Sequence, residues 1–176
     1  MTEKIIIAGS GGQGIMLCGK VLAQAAMLEG KFVTWLPAYG AEVRGGTAHC
    51  MVVISDEEIG SPYIKKTNSL IIMNQPSLSR FKNRLENNGL LIINSSMVET
   101  SGKIKALRYP FTDIAVELGN VKVANMVALG SYLSMKKAVS LKNILRVMKM
   151  MAPAGGAGIL KVNQRALDRG VRLRNG

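Results

Sequence analysis

Short apolar runs alternate with longer amphipathic segments along most of the chain. The runs are rich in Ile, Val and Leu, which is typical of strands that helices cover on both faces of a sheet. Strands are predicted at residues 4–8, 31–35, Ala48–Ser55, 68–73, 90–94 and, as a further extended segment, 103–109.

The segments between these runs predict helices. Thr112 is expected to cap the N-terminus of one of them, and Gly170 is expected to end the last. Asn87, Asn88 and Gly89 predict a turn. Helices are predicted at residues 13–28, 76–86, 125–135, Leu141–Met151 and 163–169, with another that begins at Phe111 and ends at Gly119 and Asn120.

This alternation of strands and helices predicts an α/β fold of three layers, Rossmann-like, with a largely parallel sheet and helices on both faces. Residues 1–176 are expected to form a single domain, which is long enough for a substantial core. A hydrophobic fraction of 48% excludes a disordered chain. Because no apolar run reaches about 18 residues and no signal peptide is visible, we expect a cytoplasmic protein outside the membrane.

The formal net charge of +12 is concentrated near the C-terminus. Residues 1–120 hold 12 Lys and Arg against 10 Asp and Glu, whereas residues 121–176 hold 11 against one acid, Asp168. Such a face attracts an acidic partner or a polyphosphate, or it is an ordinary solvated helix surface. A nucleic acid is not expected, because no recognised motif is present and aromatic residues make up only 5%.

Residues 9–14, Gly-Ser-Gly-Gly-Gln-Gly, lie between a predicted strand and a predicted helix. This context predicts a phosphate cradle built from Gly9, Gly11, Gly12, Gln13 and Gly14, and a tight turn without a ligand is an equal alternative. The Gln13 amide is expected either to donate to a phosphate or to hold the turn. A dinucleotide site would end its second strand with an acid, but this chain has Trp-Leu-Pro-Ala-Tyr at residues 35–39, which argues against NAD.

A second glycine motif at residues 39–47 places Arg44 between Gly40 and the pair Gly45 and Gly46. The Arg44 guanidinium suits bidentate contact with a phosphate or carboxylate, and a surface pair with Glu42 is the alternative. In open α/β sheets the loops at the carboxyl ends of strands form the ligand crevice, so both glycine motifs should share an edge with Asn74 and Gln75.

Catalytic and metal-binding groups are scarce. The chain has one histidine, His49, which excludes a Ser-His-Asp triad. The two cysteines, Cys18 and Cys50, are too few for an iron–sulfur cluster and are expected to be buried and reduced. No residue is therefore assigned a catalytic role, and no residue is assigned as a metal ligand. A phosphate cradle without catalytic groups indicates one part of a larger enzyme.

The order and spacing of these blocks resemble the gamma subunit of the 2-oxoacid:ferredoxin oxidoreductases, a family that includes 2-oxoglutarate, 2-oxoisovalerate and pyruvate synthases. The resemblance extends over nearly the whole chain. It is carried by residues 9–15, 39–47, 54–56, 61–62, 74–75, 114–120 and 125–130, with a closing pattern at Asn163, Ala166 and Gly170.

The resemblance implies a subunit of an enzyme of anaerobic metabolism that converts a 2-oxoacid, coenzyme A and oxidised ferredoxin to acyl-CoA, carbon dioxide and reduced ferredoxin. It implies thiamine-binding alpha and beta partner subunits and a ferredoxin-like delta subunit, which would hold the thiamine diphosphate, magnesium and iron–sulfur clusters. Gly11, Gly12, Gln13 and Arg44 are then expected to contact coenzyme A, and 2-oxoglutarate ranks first as substrate. A stand-alone Rossmann-like protein that binds a nucleotide or another cofactor is the alternative.

Overall fold

A computed structural model describes residues 1–38, 47–100 and 104–175. Its strands form one six-stranded sheet of order β2-β3-β1-β4-β5-β6. The strands are β1 (Thr2–Gly9), β2 (Phe32–Ala38), β3 (Ala48–Ser55), β4 (Thr67–Ile72), β5 (Leu85–Asn94) and β6 (Leu107–Tyr109).

Six α-helices are found in the described part of the chain. Short 3-10 turns at Lys82–Arg84, Val121–Val123 and Leu173–Asn175 adjoin them. The helices are α1 (Ile15–Met27), α2 (Gln75–Phe81), α3 (Phe111–Glu117), α4 (Ala124–Met135), α5 (Leu141–Met151) and α6 (Ala157–Arg172).

The strand directions agree with a largely parallel sheet. The strands β1, β4, β5 and β6 pair in parallel, and β3 runs antiparallel to both of its neighbours, β1 and β2. Five of the six described strands therefore point the same way, and their carboxyl ends meet at one edge of the sheet. The expected α/β architecture, with helices on both faces, is confirmed.

The two faces of the sheet are covered unequally. Along β1 the side chains alternate, so that Ile5 and Ile7 pack in one core with α1 and α3–α6. Ile6 and Ala8 pack in a second core on the opposite face, which α2 covers together with the connecting segments around Ile64 and Val98. Most helices thus lie on one face.

The last helix differs from the sequence prediction. It extends over Ala157–Arg172 rather than residues 163–169, and Gly170 lies within it rather than at its end. A Cβ on Gly170 would collide with the Val127 carbonyl of α4, and a Cβ on Gly130 with the Leu167 carbonyl of α6. Gly170 therefore serves the close approach of two helix backbones instead of a helix stop.

Three further local predictions are wrong. The helix predicted over residues 76–86 ends at Phe81. Asn87, Asn88 and Gly89 belong to β5 and do not form a turn. A register shift between β5 and β4 accommodates these residues as an irregularity within the strand. Thr112 does not cap α3, whose N-cap is Pro110; the Thr112 hydroxyl accepts a hydrogen bond from Asn94 at 2.9 Å.

A buried polar cluster closes the amino edge of the sheet. The Glu3 carboxylate accepts hydrogen bonds from the hydroxyls of Ser69 and Tyr132, and the Lys136 ammonium lies 3.6 Å away. Burial, and then the neighbouring Glu3 charge, raise the pKa of Tyr132 well above its usual value, so the phenol remains a donor. These groups satisfy one another's hydrogen-bonding needs within the protein.

Candidate functional site

The loop of residues 9–14 lies at the carboxyl edge of the sheet, where β1 and β4 end side by side. The Met73 N–H, just after β4, donates to the Ala8 carbonyl at 2.8 Å. The side chain of Asn74 accepts from the Ser77 N–H and caps α2. The glycine loop and Asn74 therefore share one edge, as the sequence predicts.

Gln13 holds the loop in shape through its side-chain amide. Its Oε1 accepts from the Ser10 N–H at 2.7 Å, and its Nε2 donates to the Met73 carbonyl at 3.3 Å. The same carbonyl accepts from Asn94 Nδ2 at 3.3 Å, which ties the loop to the end of β5. Of the two roles expected for Gln13, the structure shows the side chain engaged in holding the turn.

Gly9 is packed on all sides. A Cβ there would come within 2.5 Å of Gln13 Oε1, 2.8 Å of the Ile15 side chain and 2.9 Å of Met73 Cβ. The Gly9 carbonyl also accepts a hydrogen bond from the Ser77 hydroxyl at 3.4 Å. The absence of a side chain at Gly9 is thus required for the loop to lie on β4.

Gly11 and Gly12 differ from Gly9 because they face open space. Both are exposed, and a Cβ at either would meet no described heavy atom within 4 Å. Gly12 has a φ of 85°, a left-handed conformation that favours glycine. Their N–H groups make no hydrogen bond to any described residue, so a ligand can approach this backbone directly.

The loop leads into the N-terminus of α1. Gly14 is the N-cap, with a φ of 69°, and no side chain caps the helix. The first helical turn contains no acid, and its unpaired N–H groups and the helix dipole favour an anion. Asn125 of α4 reaches across and donates from Nδ2 to the Gly14 carbonyl at 3.0 Å, fixing the last residue of the loop.

The two cysteines lie behind the loop and are not reactive. Both are free and buried, with Cys18 donating to the Asn125 carbonyl and Cys50 to the Ile15 carbonyl. Burial raises the pKa of Cys18 far above its usual value and that of Cys50 to about 12, so both stay protonated. Within residues 1–38, 47–100 and 104–175 no group of His, Cys, Asp and Glu suited to a metal ion is found.

Arg44 and the rest of residues 39–46 lie outside the described residues. The flanking strands β2 and β3 end and begin, respectively, at the same edge as the glycine loop. Just after the undescribed segment, the Thr47 hydroxyl accepts from Arg80 Nη1 of α2 at 2.7 Å. Arg80 is a cation at this edge that the sequence analysis does not identify.

His49 lies beside Arg80 on the face covered by α2. Its ring packs on Phe81 with centroids 4.7 Å apart, and its Nδ1 is buried without a hydrogen-bond partner among the described residues. Burial, and then the charges of Arg80 and Arg84, lower the pKa of His49, so the ring is neutral at pH 7. This arrangement is that of a packed histidine and not of a base directed at the glycine loop.

The structure thus brings together Gly9, Gly11, Gly12, Gln13 and Gly14 as one continuous loop. The sequence analysis missed the groups that hold it, namely Asn125 and the Met73 carbonyl. Asn125 lies 111 residues from Gly14, and its only sequence signal was its place in a block shared with the resembled family. Across the described part of the chain, no helix is both long and apolar enough to cross a bilayer.

Comparison with known proteins gives one consistent family. The family described as pyruvate ferredoxin/flavodoxin oxidoreductase matches residues 4–173. The ketoisovalerate oxidoreductase subunit VorA of Methanothermobacter thermautotrophicus is 38% identical over 168 residues, which cover 95% of this chain and 35% of that protein. The 2-oxoglutarate synthase subunit KorC of Methanothermobacter marburgensis is 36% identical over 165 residues, covering 88% of this chain and 89% of that protein. The chain spans about a third of the length of the ketoisovalerate relatives and nearly all of this 2-oxoglutarate relative.

Solved structures agree with this assignment. The gamma subunit of a keto/oxoacid ferredoxin oxidoreductase from Geobacter sulfurreducens has a TM-score of 0.81 at 27% identity, covering 96% of this chain and 95% of that one. A 2-oxoglutarate:ferredoxin oxidoreductase from Magnetococcus marinus, with 2-oxoglutarate, coenzyme A and succinyl-CoA bound, has a TM-score of 0.87 at 23% identity, covering 99% of this chain and 31% of that one. The latter likeness establishes the fold alone, and the former confirms the predicted resemblance to a gamma subunit.

Proposed function

Because the chain belongs to the pyruvate ferredoxin/flavodoxin oxidoreductase family of oxidoreductases, we propose that it acts as the gamma subunit of a thiamine-dependent 2-oxoacid:ferredoxin oxidoreductase in the cytoplasm. The holoenzyme would convert a 2-oxoacid, coenzyme A and oxidised ferredoxin to acyl-CoA, carbon dioxide and reduced ferredoxin. This subunit would help to bind coenzyme A and to complete the active site. It would be inactive alone.

The observation that carries this proposal is the open glycine loop at the N-terminus of α1. Coenzyme A bears a pyrophosphate and a 3′-phosphate, and anions of this kind are bound where backbone N–H groups converge on a helix N-terminus. The exposed Gly11 and Gly12 leave room for close approach, and Gln13 and Asn125 hold the loop from behind. The coenzyme A in the related 2-oxoglutarate enzyme supports this choice of ligand.

The chain's own residues would bind and orient the coenzyme A, and partner subunits would supply the remaining chemistry. Thiamine-binding alpha and beta subunits would hold thiamine diphosphate and magnesium, which provide decarboxylation. A ferredoxin-like delta subunit would hold iron–sulfur clusters for electron transfer. This chain has only two cysteines, both buried, whereas a cluster takes four cysteine ligands, which agrees with this division. Arg44 stays a predicted phosphate contact.

We propose 2-oxoglutarate as the substrate. The 2-oxoglutarate synthase subunit of Methanothermobacter marburgensis matches this chain over most of both lengths. The ketoisovalerate subunit is slightly more identical, but this chain covers only 35% of it, so 2-oxoisovalerate is the second candidate. Side-chain selection would occur near the thiamine, on the partner subunits.

Purification of the tagged chain from its native cells tests the proposal as a whole. We expect thiamine-binding and ferredoxin-like chains to co-purify, and the complex to reduce viologen dye with coenzyme A and 2-oxoglutarate faster than with 2-oxoisovalerate or pyruvate. A preference for 2-oxoisovalerate would contradict 2-oxoglutarate as the substrate but would still support the proposed gamma-subunit function. A solitary chain that binds a nucleotide or another cofactor would favour the stand-alone alternative.

Gly11→Ala tests the loop as the coenzyme A site. A methyl group there would meet no described heavy atom within 4 Å, so we expect the free energy of unfolding to change by less than about 0.5 kcal/mol. A phosphate held against the backbone would be displaced, and the apparent KM for coenzyme A in the holoenzyme should rise about tenfold, or about 1.4 kcal/mol. Steady-state kinetics at saturating 2-oxoacid measure this effect.

The matched control is Gly60→Ala. Gly60 is equally exposed, a methyl group there would meet no described heavy atom within 4 Å, and it lies near the amino edge of the sheet beside Ser55 and Thr2. This substitution should leave both stability and the KM for coenzyme A unchanged. Equal KM values for the two variants and the unsubstituted complex would exclude Gly11 from the ligand site.

A further inference from the structure

The two edges of the described sheet differ in length and in charge. β6 forms one edge with three residues and carries the exposed cation Arg108. β2 forms the other edge with seven residues, Phe32–Ala38, and none of them is charged. Short strands and exposed charges are the usual protection of a sheet edge against pairing with another chain. β6 has both of these protections, and β2 has neither.

The register of the sheet determines which backbone groups of β2 point outwards. The Ala8 carbonyl accepts from the Met73 N–H on the β4 side, so Ile7 directs its backbone groups to β3. There Ile7 pairs with Cys50, which therefore turns its own N–H and carbonyl away from β2. The partner of Cys50 in β2 is Pro37, which has no N–H to offer. The backbone of Pro37 thus faces the open edge.

The open edge of β2 presents unpaired backbone groups. Because these groups alternate in direction along a strand, the backbones of Val33 and Trp35 face the same way as that of Pro37. The edge offers the N–H groups of Val33 and Trp35 and the carbonyls of all three residues. None of these groups forms a hydrogen bond with a described residue. β2 is therefore a template for a further strand.

The side chains of β2 are also incompletely covered. No residue of this strand is fully buried, and Phe32 at its start is 47% exposed. The helix α1 packs over one face of β2, where Trp35 lies, and Phe32 shares the opposite face with Leu36. A strand added at this edge would place side chains beside Phe32.

We infer that β2 pairs with β2 of a second copy of this chain, antiparallel and about a two-fold axis at Trp35, so that the two sheets become continuous. In full overlap Phe32 lies opposite Ala38 of the second copy, and Val33 lies opposite Pro37. The outward groups then face one another. Each Trp35 N–H donates to the Trp35 carbonyl of the other copy, and each Val33 N–H donates to a Pro37 carbonyl. Every outward N–H of the edge is thereby used.

This complementarity of the strand with itself favours a second copy as the occupant, and the charges permit it. Lys31, just before β2, is paired with Asp56. The two Lys31 residues would lie about eight residues apart along the paired strands, or about 27 Å, beyond the Debye length of about 8 Å at physiological salt. The excess positive charge of the chain lies in residues 121–176, whereas β2 packs on β3 and α1. Two-fold symmetry is also the commonest form of association between identical chains.

The paired arrangement leaves both glycine loops accessible. β2 runs parallel to β1, because β3 is antiparallel to both strands. Antiparallel pairing of the two β2 strands therefore places the two glycine loops at opposite edges of the continuous sheet. The inference does not depend on the proposed function, since it uses only the edge of the sheet.

A pair of cysteines tests the register. Phe32 and Ala38 of the two copies would form a non-hydrogen-bonded pair with Cα atoms about 4.5 Å apart, which is within the range of a disulfide. Phe32→Cys/Ala38→Cys should therefore form covalent dimers in oxidised glutathione, detected as a doubled mass on nonreducing gels. Within one chain the two positions lie about 20 Å apart and cannot be linked to each other.

The single variants are the controls. Phe32→Cys alone, or Ala38→Cys alone, places its two cysteines at opposite ends of the paired strands, so neither should crosslink. An equal mixture of the two single variants should crosslink. The native Cys18 and Cys50 are buried and protonated, so the unsubstituted chain should give only background.

Phe32→Lys tests the edge without a crosslink. The fold should tolerate a lysine at this half-exposed position, and circular dichroism checks this. Analytical ultracentrifugation should show a dimer for the unsubstituted full chain. The variant's dimer dissociation constant should be at least about tenfold higher, because an edge lysine opposes pairing and occurs twice in the contact. Val116→Lys makes the same change at a side chain of α3 that is 60% exposed, and it should leave dimerisation unchanged.

Four results would overturn the inference. They are a monomeric unsubstituted chain, a Phe32→Lys variant that dimerises as tightly as Val116→Lys, and a single-cysteine variant that crosslinks as efficiently as the double variant. The fourth is a double-cysteine variant that links to a different chain in the native complex and not to its own copy, which would assign β2 to a strand of a partner subunit. None of these results bears on the proposed function, which purification from native cells tests separately.

Discussion

Gly170→Ala is expected to lower the free energy of unfolding by about 3 kcal/mol, near the upper end for overpacking of a protein interior. The new methyl group would be directed at the Val127 carbonyl and close to the Ser131 N–H of α4. Backbone atoms cannot rotate away as a side chain can, so the two helices must separate along their whole contact. For a chain of this size the melting temperature should fall by about 6–12 °C, measured by calorimetry or circular dichroism.

Gly158→Ala is the matched control in the same helix. Gly158 is exposed, and a methyl group there would meet no described atom within 4 Å. Because alanine favours a helix over glycine, the stability should be unchanged or rise by up to about 1 kcal/mol. If Gly170→Ala were as mild as Gly158→Ala, the close approach of α4 and α6 would not be maintained in solution.

Gly170 also shows what the sequence could not reveal. A glycine near the end of a helical pattern predicts a C-terminal cap, and local sequence gives no signal that distinguishes a cap from a point of backbone contact. The distinction depends on α4, whose Gly130 makes the reciprocal approach to Leu167. The presence of a helix here was predicted correctly. Its C-terminal boundary was not, because the contact of Gly170 with α4 is a tertiary contact.

The prediction of a turn at residues 87–89 was wrong for a related reason. Two asparagines and a glycine predict a turn by local propensity, but pairing of β5 with β4 on both sides of them extends the strand through this segment. The alternation of strands with helices was predictable because apolar periodicity reports burial directly. Such irregularities are set by the neighbouring strand and were not predictable.

The candidate site likewise has a part that was predictable from local sequence and a part that was not. Its glycines were predictable, because a strand, a glycine-rich turn and a helix are contiguous in the chain. The supports were not, since Gln13 bonds to a carbonyl 60 residues away and Asn125 to one 111 residues away. Residue types predicted the loop, and only the fold shows which side chains fix its conformation.

Gly14→Ala should damage both the loop and the fold. Alanine at a φ of 69° is strained, and its methyl group would collide with the Asn125 amide that donates to the Gly14 carbonyl. Strain and the lost hydrogen bond together should lower the free energy of unfolding by about 2–4 kcal/mol. Because a displaced loop misdirects the N–H groups offered to the ligand, the holoenzyme's apparent KM for coenzyme A should rise about tenfold or more.

Gly30→Ala separates the conformational strain of a positive φ from the collision with Asn125. Gly30 has a similar φ of 73°, but a methyl group there meets no described atom within 4 Å. It should therefore cost only the conformational strain, about 1 kcal/mol, and leave the KM unchanged. Asn125→Ala completes a double-mutant cycle: combined with Gly14→Ala, it should destabilise by at least about 1 kcal/mol less than the sum of the single changes, because the collision is removed. Additive effects would show that Asn125 does not hold Gly14.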